Sequence, residues 1–174
     1  AGDMAAGDRG MVSIPGSQAD FTKNAEIVAG IGERTGCRAF NALYGLRVDD
    51  STPEEQDAVA LENLAVAARA VAGIGGTVLV EPVSGADAYP LKTAADAAAV
   101  VEAVRAGGAE NIAVLADFFH MAVNGDDVAA AIESGAADFG HIQIADAEGR
   151  GAPGTGQLPL REWIDRSFAL GYSG

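Results

Sequence analysis

Three residues that could bind a hard metal ion, Glu81, Asp117 and Gln143, each lie at or near the end of a short apolar segment. The intervals between them are 36 and 26 residues, each about one strand–helix repeat. Carboxylate and amide oxygens are ligands that suit Mg²⁺ or Mn²⁺. Because the carboxyl ends of successive parallel strands converge, this spacing predicts a divalent-metal site built from all three side chains.

Each carboxylate also has a purely structural explanation. Glu81 or Asp117 could cap the helix that follows its strand, or could pair with an arginine at the rim of the sheet. Strand alternation argues for more than that, since Glu81 shares a face with Leu79 and Asp117 shares one with Leu115. Each acid is thus the last inward position above an apolar layer, where the catalytic residues of barrel enzymes lie.

Two further side chains come from the loops that follow these segments. His120 stands three residues after Asp117 and could donate to a substrate oxygen or bind the metal, although a lone histidine is often structural. Arg150 lies in the glycine-rich segment 148–156, which could reach over a ligand. Arginine suits two-pronged recognition of a carboxylate, and a solvated loop charge is the alternative. The glycines match no phosphate-binding loop motif.

The elements that would position these residues alternate between helix and strand, which predicts an α/β fold with parallel strands. Thr52, Pro53 and Glu55 predict one helix start, and Thr93 with Asp96 predicts another. We expect four strands and five helices in the order αβαβαβαβα. The expected strands cover 37–44, 77–81, 112–117 and 139–145.

The number of strands bears on the architecture. Parallel strands need neighbours on both sides, and a (β/α)₈ barrel takes eight strands and usually about 250 residues. The 174-residue chain is therefore predicted to be a partial (β/α)₈ TIM barrel, a single domain over 1–174 that is truncated at both ends. A complete, small four-stranded sheet is the alternative.

Composition narrows the classes of partner. A net charge of −14 argues against nucleic acid and anionic membranes, but a small anionic substrate stays compatible because a bound metal reverses the local field. No apolar run approaches the roughly 20 residues of a membrane span, and the first residues do not resemble a signal peptide. With one cysteine, Cys37, the expected location is cytoplasmic. The sequence leaves a homo-oligomer open.

Four segments resemble the hydroxypyruvate isomerase family, within the xylose-isomerase-like superfamily of sugar isomerases and epimerases. They share its order and spacing, and the most specific stretch is 141–156. Residues 1–10 also look like the loop after that family's third strand. The segments are 80–82, 117–121, 140–146 and 149–156.

This resemblance implies a (β/α)₈ barrel with one divalent ion. The implied ligands are Glu81, Asp117, Gln143 and a further glutamate that would lie beyond Gly174. The implied activity is a metal-dependent aldose–ketose isomerisation of a small hydroxy-oxo acid, interconverting hydroxypyruvate and 2-hydroxy-3-oxopropanoate (tartronate semialdehyde) through an enediolate. Glu81 and the further glutamate would move the proton.

In that chemistry Arg150 could hold the substrate carboxylate and His120 could hydrogen-bond the reacting oxygens. Alternatives within the superfamily are 2-oxo-tetronate isomerase and an epimerase or dehydratase of neutral sugars. A DNA-repair endonuclease on the same barrel would need several histidine ligands and a basic groove, against two histidines and a charge of −14. An inactive fragment that lacks the last metal ligand is the remaining alternative.

Overall fold

The computed structural model describes residue 5 and residues 7–174, so part of the segment 1–10 lies outside the described residues. Helices and strands alternate along the described part. No helix there is both long enough and apolar enough to cross a bilayer. The elements are α1 (Gln18–Thr35), β1 (Ala39–Asn41), α2 (Pro53–Ala72), β2 (Thr77–Val80), α3 (Ala94–Ala106), β3 (Ile112–Asp117), α4 (Phe118–Val123), α5 (Val128–Gly135), a 3₁₀ turn (Ala136–Asp138), β4 (Phe139–Gln143) and α6 (Leu160–Ala169).

The four strands form one parallel sheet in the order β1-β2-β3-β4, which confirms the predicted α/β class. Strand β1 is shorter than the expected 37–44. The chain leaves the parallel ladder after Ala42, whose N–H still donates to the Leu79 carbonyl at 2.9 Å. Tyr44 then forms an antiparallel bridge with Gly10. The parallel ladder of β1 thus gives way to this second pairing two residues later.

The two faces of the sheet bury different sets of side chains. The helix-facing side belongs to the large core, which includes Val78, Val80 and Val114. On the opposite face Leu79, Ala113 and Leu115 form a small cluster of their own. These are the residues that strand alternation places beneath the candidate metal ligands, so the predicted layer is present.

Strand β4 carries an irregularity that the sequence did not indicate. Val114 pairs with Phe139 while the next residue, Leu115, pairs with His141, so Gly140 is an extra residue. A Cβ at Gly140 would lie 2.7 Å from side-chain carbons of Ala113 and Leu79. Glycine therefore lets β4 lie tightly against the small cluster, and the shift brings the end of β4 level with the end of β3.

Helix starts follow the predicted capping chemistry. Thr52 Oγ1 accepts a hydrogen bond from the Glu55 N–H at 3.2 Å, and the Glu55 carboxylate accepts one from the Thr52 N–H at 2.9 Å. Thr93 and Asp96 form the same reciprocal pair at the start of α3. Helix α4 was not predicted, and it raises the number of α-helices in the described part from the expected five to six. Its six residues are too few to show a helical period.

Candidate active site

Glu81 directly follows β2, and the residue is 5% exposed. Its Oε2 accepts a bond of 2.6 Å from the amide of Asn41, the last residue of β1. Burial raises the pKa of Glu81, and the nearby Asp117 charge adds to the rise, while the Asn41 bond and Arg150 oppose it. The site therefore holds a carboxylate with a strengthened affinity for a proton.

The backbone around Glu81 is fixed by two buried tyrosines. The Tyr89 hydroxyl donates to the Glu81 carbonyl at 3.1 Å and accepts the Tyr44 N–H at 3.0 Å. Burial is the main cause that raises the pKa of both phenols, so both keep their protons and Tyr89 remains a donor. This link joins the ends of β1 and β2 and holds Asn41 opposite Glu81.

Asp117 ends β3 and is fully buried. Its Oδ1 accepts the N–H groups of Phe119 at 3.0 Å and His120 at 3.1 Å, which starts helix α4. Its Oδ2 accepts a bond of 2.8 Å from the Arg150 guanidinium. Both structural alternatives, a helix cap and an arginine pair, are thus observed for Asp117. They do not exclude a ligand role, because a carboxylate has about four acceptor positions.

His120 is 8% exposed and has donors near both ring nitrogens. The Ser84 N–H lies 3.1 Å from Nδ1, with the Ser84 hydroxyl at 2.8 Å, and Arg150 Nη1 lies 2.6 Å from Nε2. Desolvation lowers the pKa of His120, although the Asp117 charge opposes this, so the ring is neutral near pH 7. A neutral ring accepts at one nitrogen only, so Ser84 N–H and Arg150 compete for it.

Arg150 is the most exposed member of this group. Its side chain is 47% exposed, although it reaches the buried Asp117, and its guanidinium lies over the Phe119 ring at 5.4 Å from the centroid. The guanidinium places a positive charge against Asp117 Oδ2 and His120 Nε2. The charge of the Asp117 carboxylate is therefore already paired with the guanidinium.

Gln143 ends β4 and pairs in register with Asp117. It lines a cavity of about 500 Å³ together with Glu81, His120 and Arg150. All five residues proposed from the sequence thus lie in one place, four around the cavity and Asp117 directly beneath Arg150 and His120.

The donor set suits a divalent metal. One ligand atom from each of Glu81, Asp117 and His120 lies within 4.8 Å of the others, and all three residues are buried. This group could hold a metal ion. Its two carboxylates are those expected from strand spacing, and helix α4 turns His120 back towards them.

Several residues around the cavity were not anticipated from the sequence, namely Arg9, Asn41, Ser84 and Tyr89. Asn41 carried a usable signal, since it is a polar residue inside an apolar strand segment and shares the inward face of the sheet. Ser84, Tyr89 and Arg9 lie in connecting segments without a period, and only the folded chain brings them to the cavity.

Curated proteins of similar sequence match this chain along its whole length. A putative hydroxypyruvate isomerase from Streptomyces coelicolor is 47% identical over 178 residues, covering 100% of this chain and 64% of that protein. A 2-oxo-tetronate isomerase from Cupriavidus necator is 35% identical, covering 99% of this chain and 66% of that protein. The chain thus spans just under two thirds of the length of these curated relatives.

A crystal structure from Brucella melitensis, described as an AP endonuclease of family 2, superposes with a TM-score of 0.91 at 30% identity. The match covers 99% of this chain and 66% of that one. The family model for the xylose isomerase-like TIM barrel matches residues 5–174. With its four parallel strands forming half of such a barrel, the chain belongs to the xylose isomerase-like TIM-barrel family.

Proposed function

We propose that the protein is a metal-dependent isomerase that interconverts hydroxypyruvate and 2-hydroxy-3-oxopropanoate. The observation that carries the proposal is the meeting of Glu81, a buried carboxylate of raised pKa, with Asp117 and His120 at one edge of a cavity. The relatives named hydroxypyruvate isomerase and 2-oxo-tetronate isomerase support the choice of reaction. We further propose that residues 1–174 belong to one domain of that enzyme.

Glu81 is the proposed proton carrier. Isomerisation moves a proton between the CH₂OH carbon of hydroxypyruvate and the neighbouring ketone carbon, through an enediolate. A base acts best when its pKa lies near the working pH, and burial moves the pKa of Glu81 in that direction. The family resemblance implies a second glutamate as the partner of Glu81 in this transfer.

Glu81, Asp117 and Gln143 are the proposed metal ligands, and Gln143 pairs in register with Asp117. Mg²⁺ or Mn²⁺ bound there would supply electrostatic stabilisation to the negative charge that develops on the substrate oxygens. The two carboxylates and the amide are oxygen ligands of the kind that these ions prefer.

Arg150 and His120 are the proposed substrate-binding residues. A substrate carboxylate would offer the half-exposed Arg150 guanidinium a partner in place of His120 Nε2. The Ser84 N–H would then hold Nδ1 as the acceptor, which leaves the ring proton on Nε2, facing the cavity. His120 could then donate that proton in a hydrogen bond to a reacting oxygen.

The first test is turnover of hydroxypyruvate by the full-length protein with Mg²⁺ or Mn²⁺, and its loss on chelation. Arg150→Ala should raise the Michaelis constant for hydroxypyruvate roughly tenfold to a hundredfold, the value of a charge-assisted hydrogen bond. An unchanged constant would show that Arg150 does not hold the carboxylate. Glu133→Ala, which removes the exposed partner of Arg166, is the control and should leave turnover unchanged.

One relative supports a second candidate, isomerisation of a 2-oxo-tetronate, because the Cupriavidus necator protein carries that name. The two acids would share the carboxylate contact and differ in chain length. The ratio of kcat/KM for the two substrates separates these activities. Turnover of neutral ketoses without turnover of either acid would instead indicate a sugar epimerase.

A further inference from the structure

One buried acid has no part in the proposed chemistry. The described residues contain three buried carboxylates, Glu81, Asp117 and Asp146. Asp146 lies three residues after Gln143 and is 1% exposed, but it does not line the cavity. A buried charge is costly unless it is fully hydrogen-bonded, so its partners indicate its use.

The carboxylate of Asp146 binds the backbone of the following loop. Oδ2 accepts the Gly154 N–H at 2.9 Å, and Oδ1 accepts the Leu158 N–H at 3.1 Å. The main chain of Asp146 also exchanges two bonds of 2.9 Å with Gly151. One residue therefore ties down the middle and the far end of the loop 147–158.

Gly156 completes the enclosure of this carboxylate. A Cβ at Gly156 would overlap the Ala147 carbonyl oxygen and Asp146 Oδ1, so only glycine permits the approach. Backbone N–H groups, that of Gly156 first among them, lower the pKa of Asp146 and keep it ionised. The loop is thus wrapped closely around a fixed negative charge.

The residue that this arrangement holds most directly is Arg150. It immediately precedes Gly151, whose N–H and carbonyl groups both form hydrogen bonds with the main chain of Asp146. Arg150 has a φ of 58°, in the left-handed region that residues other than glycine seldom adopt. Such a conformation persists only where surrounding contacts impose it. From this backbone the guanidinium reaches Asp117 and His120.

We propose that Asp146 is a positioning residue, which folds the loop 147–158 so that Arg150 is held ready to bind the substrate carboxylate. The proposal rests on the proposed function, since it acts through the substrate contact of Arg150. Asp146 itself touches no reacting group.

The test is a double-mutant cycle on the full-length protein with hydroxypyruvate and Mn²⁺. Asp146→Ala should raise KM about tenfold, because Arg150 loses its fixed backbone. In the Arg150→Ala background the same change should have no further effect on KM, since the contact is already absent. A merely structural role would lower the thermal midpoint equally in both backgrounds. The effects of the two substitutions on the logarithm of KM would then be additive.

Two further variants guard against simple misfolding. Asp146→Asn keeps one acceptor oxygen and should raise KM less than Asp146→Ala. Gly156→Ala leaves the carboxylate in place but displaces the loop, so it should reproduce the rise in KM. Glu148→Ala removes an exposed acid from the same loop and is the matched control, for which no change is expected.

The outcomes separate the two proposals. Wild-type protein that turns over neither acid refutes the proposed function. Active wild type with an unchanged KM in Asp146→Ala, or with an equal rise in both backgrounds, overturns the role of Asp146. If all three loop variants unfold below the assay temperature, Asp146 serves stability alone and the proposal is again overturned.

Discussion

The ends of β2 and β3 both carry a buried acid, yet the two acids have different hydrogen-bond donors. Among the described residues, Asn41 alone gives the Glu81 carboxylate a hydrogen bond, which is neutral, and burial raises the pKa of Glu81. Asp117 receives two backbone N–H groups and a guanidinium. The β2 end thus leaves its carboxylate short of donors, whereas the β3 end surrounds its carboxylate with them.

This difference supports separate proposed roles for two residues that look equivalent in the sequence. A carboxylate with few donors can exchange a proton, because hydrogen bonds stabilise neither its ionised nor its protonated form strongly. A carboxylate with three donors is held in one orientation, which suits a ligand. Position at a strand end therefore brings an acid to the site, and the neighbouring residues decide what it does there.

The largest expected effect comes from Glu81→Gln. The amide keeps an oxygen for Asn41 but cannot accept a proton from the substrate, so kcat should fall by roughly 10²–10⁴-fold, the usual contribution of a positioned base. Steady-state turnover of hydroxypyruvate by the full-length protein measures this. Glu110→Gln, at an exposed position, should retain wild-type turnover. Wild-type kcat in Glu81→Gln would remove Glu81 from the proton transfer.

Asp117→Asn should have a different main effect, on stability and metal binding. The remaining amide oxygen can keep the cap of helix α4 only if the new NH₂ group faces the Arg150 guanidinium, donor against donor. We expect the free energy of unfolding to drop by about 1–3 kcal/mol, measured by urea denaturation of the metal-free protein. Mn²⁺ affinity, measured by calorimetry, should fall as well.

Glu133→Gln is the matched control for that experiment, because it removes an acid paired with Arg166 at the surface. Exposed pairs contribute about 0–1 kcal/mol, so stability should change little and Mn²⁺ affinity should not change. Equal losses in the two variants would show that the buried setting of Asp117 is unimportant.

The smallest expected effect is a rise in stability for Glu81→Gln in the metal-free protein. The folded-state pKa of Glu81 lies above its unfolded value, so ionisation opposes folding and wild-type stability falls as pH rises from about 4.5 through the raised pKa. The neutral amide of the variant has no such penalty. Thermal midpoints should coincide below that range, and the variant should be the more stable at pH 7.

The opposite pH trend would contradict the contrast between the two strand ends. Thr52→Ala, which breaks the cap of α2 far from the site, serves as a reference for an ordinary stability loss of about 1 kcal/mol. It should lower the thermal midpoint without changing the pH dependence assigned to Glu81.

Much of the fold could be predicted because its signals are local. The caps at Thr52 and Thr93 need only residues three positions apart, and both were found as predicted. The strands β2 and β3 are continuous apolar runs, which is typical of parallel strands covered on both faces. Helix α4 was missed since six residues carry no period, and the Gly140 bulge was missed since register depends on the partner strand.

The sequence by itself determined which acids reach the rim, because strand alternation fixes the face of every residue once the strand is known. Glu81 and Asp117 follow from that rule alone. Only the tertiary structure decided the partners of each acid. Asn41 reaches Glu81 from a separate strand, and Arg150 reaches Asp117 across 33 residues of chain. Donor number and burial set proton affinity, and both are properties of the folded chain.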